Sequence, residues 1–556
     1  MDIRTLSLMA AILGAGAFPG TASELSSLQQ EINTARRAGK NFVTLARKEY
    51  RIPAGVKLTQ VNNFTIDGNG ARIVITDPRS QAFVLWRSGD ITMKNLTIDY
   101  DPLPYTQGVI TAVDGRELKF TVDTGYPPLT SALQLSYLHI FTPDGRHWKE
   151  NCPDVYGRLR MISPAAGAFT MREDYPVRAG DRFAVNYRSP AAFDMNRCGK
   201  LIFEAITIHA SPGVSFLCRY GHGDKIFRRI RIVRAAPPSG ASAPRLLAGN
   251  ADGINIASNR GGVSVRDCEF SYLGDDSINF HCELMPLVSR VNERAFDTVY
   301  PYRKSVTFLE EIYKPGDRVV FVRPGDYAVI GEAKIARIEA SPRSGSVAPK
   351  APDFFPVHSR MGFTAYEIEF DRPISFPEGS FFYVPASAAQ GFEIVDNYFH
   401  DHRARGLRLM SSNGVIANNR FERLKSNAIA LGGEFNWWRE AGWCENIVVR
   451  NNKMIDIGFG TINTPDNYAP GAIATFARLD KYPGAYSGNR NLEIIGNEVR
   501  NTPGAGILLN YCNGVKVSGN KLENVLCFKD VPGRNRGFRE PAPVWIQNST
   551  NIEYDK

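Results

Sequence analysis

One register recurs through the C-terminal third of the chain. Val395-Asp396-Asn397-Tyr398-Phe399, Ile416-Ala417-Asn418-Asn419-Arg420-Phe421, Val449-Arg450-Asn451-Asn452-Lys453-Met454, Ile495-Gly496-Asn497-Glu498-Val499 and Val517-Ser518-Gly519-Asn520-Lys521-Leu522 each set an asparagine among alternating apolar residues. Asn397 precedes Asn419 by 22 residues, and Asn497 precedes Asn520 by 23. A repeat this short buries little by itself and gains a core by stacking on its neighbours. Alternation makes its segments strands. The expectation is an all-β chain folded as a right-handed parallel β-helix. Its asparagines would stack as a ladder and take up the left-handed turn conformation. Hairpin signals, which a β-sandwich would need, are sparse.

The same pattern is legible earlier, at Asn63–Gly68, Ile91–Ile98, Leu201–Ile208 and Ile226–Ile232. Two stretches break it with irregular spacing and many Pro and Gly, and they read as β-rich, barrel-like insertions. The resulting division is a signal segment at 1–23, a cap and first coils at 24–99, and an insertion at 100–187. Further coils follow at 188–283, a second insertion at 284–386, and the last coils at 387–556. Leu25–Gly39 has helical periodicity and ends at glycine, as a helix covering an open solenoid end would. Arg4, the apolar run Leu6–Ala17 and the small residues 20–23 read as a removable export signal, which predicts a periplasmic or secreted protein. No stretch approaches the roughly 20 apolar residues of a membrane span, so stable membrane insertion is not expected.

Between the insertions lies the densest chemistry. Asn250-Ala251-Asp252-Gly253 is followed by Gly274-Asp275-Asp276-Ser277-Ile278-Asn279-Phe280-His281, with Asp275 placed 23 residues after Asp252. That is about one coil, so the two carboxylates are expected on successive coils about 4.8 Å apart, facing a pocket bordered by the second insertion. Crowded carboxylates push their pKa values apart, allowing one to act as acid and another as base. Each aspartate alone is also an ordinary turn residue; together, in this setting, they favour chemistry. Adjacent strand residues face opposite ways, so Asp275 and Asp276 converge only if the backbone turns there, which Gly274 permits.

Composition adds limits. A net charge of +9 over 556 residues is modest, and no nucleic-acid motif accompanies it. The eight cysteines form no CxxC pair or metal-ligand spacing, and read as small core residues. His400-Asp401-His402 lacks a third ligand at a sensible spacing and reads as solvent-facing turn. The arginines at 228, 229, 231 and 234 read as a solvated strand face. Neither a metal nor a cofactor is expected.

The Asp252 and Asp275-Asp276 elements resemble glycoside hydrolase family 110. So do Arg403-Ala404-Arg405-Gly406-Leu407 and Asn427-Ala428-Ile429, leading to Gly432-Gly433-Glu434-Phe435-Asn436-Trp437-Trp438-Arg439-Glu440-Ala441-Gly442. The resemblance spans roughly residues 60 to 530. It implies an exo-acting enzyme that removes terminal α-1,3-linked galactose with inversion, and a galactose-containing glycan or oligosaccharide as partner. It makes Asp275 the general acid and gives Asp252 and Asp276 the attacking water. More distantly, the aspartates are similar to those of polygalacturonases. Asn279, His281, Arg403, Arg405, Glu434, Trp438 and Glu440 are the implied substrate-binding residues. Arg403 and Arg405 alternate along a strand, and suit either sugar hydroxyls or ion pairs with the aspartates. Glu434 stands where the family has Asp, and Asn255-Ile256 departs from its aromatic or histidine character; both departures leave the terminal sugar open. Two other classes stay open: another β-helix carbohydrate enzyme such as a hydrolase, lyase or epimerase, and a glycan-binding β-helix without turnover.

Overall fold

The computed structural model describes residues 26–133, 135–241, 243–300, 309–355, 362–460, 471–482, 488–527 and 540–555. The expected export signal lies outside the described residues.

Most coils contribute one strand to one parallel stack and two to another. In the coil that carries the aspartates, Ile254–Ala257 lies in an eleven-strand path, while Val263–Arg266 and Glu269–Ser271 lie in a 20-stranded sheet. The chain then turns through residues 272–277 and re-enters the first stack as Ile278–Glu283. Alternate side chains point inward, as in the buried–half-buried pattern of Val263–Arg266. Because coils stack in register, like meets like: Phe270, Phe399 and Phe421 form a stacked column with centroids 5.2 and 4.9 Å apart. Phe83, Phe193 and Phe216 form another, at 5.0 and 4.6 Å.

The asparagine ladder is present. Asn397 Nδ2 donates to Asn419 Oδ1, Asn419 to Asn452, Asn452 to Asn497 and Asn497 to Asn520, each at 2.9 Å. One expectation is corrected: the left-handed residue is the one before each ladder asparagine, namely Asp396, Asn418, Asn451, Gly496 and Gly519. The ladder asparagines are thereby turned inward, where their amides bond backbone as well as each other. Cys268 occupies the preceding rung, donating its N–H to Asn397 Oδ1 at 2.9 Å. Seven of the eight cysteines are buried and free, as expected of small core residues; Cys527 is exposed.

The predicted cap is the helix Ser27–Arg37, capped by Ser26, whose side chain accepts from the Gln29 N–H at 3.2 Å. Gln29 pairs with the open strand edge: its Oε1 accepts from the Lys57 N–H at 2.6 Å and its Nε2 donates to the Lys57 carbonyl at 3.3 Å. A side-chain amide thus stands in for the missing neighbouring strand.

The first insertion is a closed antiparallel barrel of six strands between Tyr105 and Asn186. The second is an antiparallel seven-stranded sheet from Met285–Pro286 to Phe381–Tyr383, whose hydrogen-bonded path is open among the described residues. Its strands shift register at Phe321/Val322 and Ile335/Arg337. His400-Asp401-His402 is not a solvent-facing turn. It belongs to strand Tyr398–His402, with Asp401 and His402 buried. Of the predicted arginine face, Arg229 and Arg231 pair with Glu204 and Glu269 at the surface. Arg234 instead lies over the Tyr272 ring and donates to the Gly145 carbonyl, pinning the barrel to the coils.

Asn452→Ala should strand the backbone N–H of Asn419 and the Ile416 carbonyl. With each buried group left unpaired at about 1–3 kcal/mol, a loss of about 2–6 kcal/mol in denaturant unfolding is expected. Asn446→Gly removes a rung of an exposed asparagine row without adding backbone strain. It should cost less than about 1 kcal/mol. Equal losses would remove the ladder's special weight.

Candidate active site

The strand register fixes the site. Ile254, Ile278 and Leu407 are partners across three coils. Two residues before each stand Asp252, Asp276 and Arg405, in one vertical line. Asp252 therefore stacks against Asp276, 24 residues on, rather than against Asp275. Asp276 meets the coil above: Arg405 donates Nε and Nη2 to its two oxygens at 2.9 and 3.0 Å, and the Arg405 N–H adds a bond of 2.9 Å.

Asp275 sits in the turn just before the strand and takes a different direction. Its Oδ2 accepts from Arg188 Nη2 at 2.5 Å, and its Oδ1 lies 3.0 Å from Arg403 Nη1. Gly274 is required here, because a Cβ at that position would stand 2.4 Å from the Asn250 carbonyl oxygen. His402, on the coil above, closes the turn. Its Nε2 is 2.5 Å from Ser277 Oγ, and its Nδ1 accepts from the Leu273 N–H at 3.4 Å. Burial pushes its imidazole down to about 3, so it serves this turn as a neutral ring.

The three carboxylates differ in charge. Asp252 is buried, and among the described residues no arginine or lysine forms an ion pair with it; its bond is from Asn255 Nδ2 at 2.8 Å. Burial, then the charges of Asp275 and Asp276, push it well above the ordinary carboxyl range. Burial also raises Asp276 and Asp275's charge adds to the rise, with Arg405 opposing. Burial works in the same direction on Asp275, but Arg403 and Arg188 outweigh it and hold that carboxyl below its usual value. One carboxyl with raised proton affinity and one with lowered proton affinity thus share a site.

The remaining predicted residues line the adjoining face. Asn279 lies between Asn255 of the coil below and Arg408 of the coil above. His281 Nδ1 is 3.2 Å from Asn279 Oδ1, and burial lowers its imidazole to about 4. Glu440 pairs across from Glu283 as a short antiparallel strand, its carboxylate 3.9 Å from His281 Nε2. Glu434 is buried among Arg408 at 3.2 Å, Arg478 at 3.3 Å and Arg405 at 3.8 Å. Trp438 is half-buried on the same loop, beside exposed Trp437. Arg403 and Arg405 resolve as ion-pair partners of two different aspartates.

Both insertions reach this region, whereas only the second was expected to border it. The second supports the loop through Arg439, which donates to the Phe354 carbonyl and the Tyr327 hydroxyl at 2.6 Å each. The first supplies Asp154, paired with Arg403, and Tyr137, whose hydroxyl accepts from Arg188 at 3.0 Å. Sequence reasoning missed Arg188, Asp154, Tyr137 and Arg408. Arg408 carried a weak signal, closely following the flagged Arg403-Ala404-Arg405 run; that run does not alternate along a strand as expected but lies in the turn before strand Leu407–Leu409, and the others are brought in by folding of the barrel.

The family model for a right-handed β-helix region matches residues 374–522. Alpha-1,3-galactosidase B of Bacteroides thetaiotaomicron is 22% identical over 534 residues, covering 90% of this chain and 80% of that one. Alpha-1,3-galactosidase B of Parabacteroides distasonis is 29% identical over 433 residues, covering 72% and 66%. Among solved structures, an Azotobacter vinelandii mannuronan C-5 epimerase A-module aligns over 95% of this chain and 94% of that one, at TM-score 0.40 and 12% identity. Fold and site define a right-handed parallel β-helix with an aspartate trio, Asp252 and Asp276 buried and Asp275 half-buried. Along most of its length the chain is similar to proteins named α-1,3-galactosidases, in keeping with the family-110 resemblance of its motifs.

Burial and the charge of Glu434 push Glu440 up to about 7. A folded-state value above the unfolded one, about 4.3, means the folded protein binds the extra proton between the two. This contribution to stability is full below pH 4 and is lost as pH rises through 7. Glu440→Gln should therefore gain stability relative to the parent at pH 8 compared with pH 5, measured by denaturant midpoints. A pH-independent difference would contradict the assignment.

Proposed function

We propose that the protein is an exo-acting glycoside hydrolase that removes a terminal α-linked galactose, or a closely related sugar, by single-displacement inverting hydrolysis. The observation that carries this reading is the trio itself: three carboxylates of two neighbouring coils, two clamped by arginines and one, Asp252, without a cationic partner among the described residues. Inversion needs one carboxyl to protonate the leaving oxygen and one carboxylate to activate water. The similarity to α-1,3-galactosidases supports the substrate class. Asn255, Asn279 and Glu440 supply donors and acceptors for sugar hydroxyls, and Trp438 an apolar face for the ring. Contributions from both insertions favour a walled pocket over an open groove, which suits removal of end residues.

On the roles of the aspartates, two observations point in different directions. The resemblance gives proton donation to Asp275 and the water to Asp252 and Asp276. The charge pattern supports the exchange, with Asp252 keeping its proton while Arg188 and Arg403 hold Asp275 ionised. Leaving-group dependence separates them. The aspartate that donates the proton, changed to Asn, should lose about 10²–10⁴-fold on an unactivated disaccharide but retain much of its turnover of an activated aryl α-galactoside. The water-activating aspartate should lose both. Selective survival in Asp252→Asn supports the charge-based assignment, and selective survival in Asp275→Asn the other. Failure of the parent enzyme to hydrolyse any α-galactoside would sink the reading.

A further inference from the structure

The two arginines that hold Asp275 have their other partners in the inserted barrel. Arg403 Nε donates to Asp154 Oδ1 at 2.7 Å, and its Nη2 pairs with Oδ2 of the same carboxylate. Its remaining nitrogen, Nη1, reaches Asp275 Oδ1 at 3.0 Å and the Gly274 carbonyl at 3.1 Å. Arg188 divides its guanidinium similarly, between Asp275 and the hydroxyl of Tyr137 on barrel strand Tyr137–Phe141. Asp154 immediately precedes barrel strand Val155–Ser163. It lies 249 residues from Arg403 in the chain, yet both are nearly sealed from solvent.

We propose that Asp154 is a positioning residue: it shares the charge of Arg403 with Asp275, so the inserted barrel sets the proton affinity and orientation of a carboxylate in the β-helix. This inference rests on the hydrolase reading and adds a residue that neither the motifs nor the strand register supply. Burying an ion pair gains little net stability, and packing the barrel on the coils needs no charge. Asp154 lies where a second carboxylate competes for a cation already serving Asp275. The groups facing Asp154 are Arg403, Lys425, His139 and Tyr156. Those facing Asp275 are Arg188, Arg403, Arg405, Asp252 and Asp276. Burial holds His139 neutral and draws Lys425 down, so Arg403 is the dominant cation between the two carboxylates.

The sign follows from charge sharing. Without the negative charge of Asp154, Arg403 acts fully on Asp275, and Asp275 ionises at lower pH. In the pH profile of kcat/KM, Asp154→Asn should move one limb down by about half to one unit and leave the other in place. Asp154→Glu, which keeps the charge, should return that limb towards its parental position. Arg403→Gln withdraws the shared charge and should move the same limb upward. Opposite shifts from two partners of one ion pair are not the mark of a merely structural contact. Either substitution suffices if the other does not fold, with folding checked by circular dichroism and melting. Unmoved limbs in a folded variant, with activity lowered, overturn the positioning role alone. No turnover by the parent enzyme overturns the hydrolase reading and this inference with it.

Discussion

In-register stacking of coils is the constraint from which the rest of the structure follows. Parallel neighbours repeat at about 4.8 Å, so whatever occupies a position in one coil touches its counterpart in the next. Where the side chain complements itself, a column forms: asparagine amides donate to asparagine carbonyls, and phenylalanine rings stack. The same rule places Asp276 directly above Asp252, where the counterparts repel. The next residue in that line is Arg405, which neutralises one of the two and leaves the other. A stabilising principle of the solenoid thus stacks a like-charged pair at one place; burial first, and then the charges of Asp275 and Asp276, raise the proton affinity of Asp252.

The insertions supply what a plain solenoid lacks. A β-helix surface is regular and open, and charges on it are hydrated. The barrel brings Asp154 and Tyr137, and the chain leaving it brings Arg188, so Asp275 is enclosed in a layered set of ion pairs. The second insertion braces the loop bearing Glu434, Trp438 and Glu440 through Arg439. Enclosure strengthens each of these interactions, because a low-dielectric setting screens them less.

The repeat, the ladder and the neighbourhood of the aspartates were legible in the sequence, since each depends on local period alone. The partner of Asp252 was not. A spacing of 23 residues suggested Asp275, but register is set by Ile254 pairing with Ile278, which makes Asp276 the stacked residue. The ladder asparagines looked suited to the left-handed position, which instead falls one residue earlier, because an inward-facing amide needs the turn before it. His400-Asp401-His402 looked like surface because it is polar. Asp401 is covered by the barrel, where His147 pairs with it and Trp148 donates to its carbonyl, while His402 is buried against Ser277 and Leu273 of the coils. Arg188 and Asp154 gave no sign, for their roles arise only when an insertion folds back across scores of residues.

The central claim is that the trio performs one displacement at an anomeric carbon, with separate carboxylates for proton and water. Proton NMR of the earliest product from an α-galactoside tests it most directly, before mutarotation mixes the anomers. The account predicts β-galactose appearing first. First appearance of the α-anomer, or of an unsaturated sugar at the product end, would contradict it.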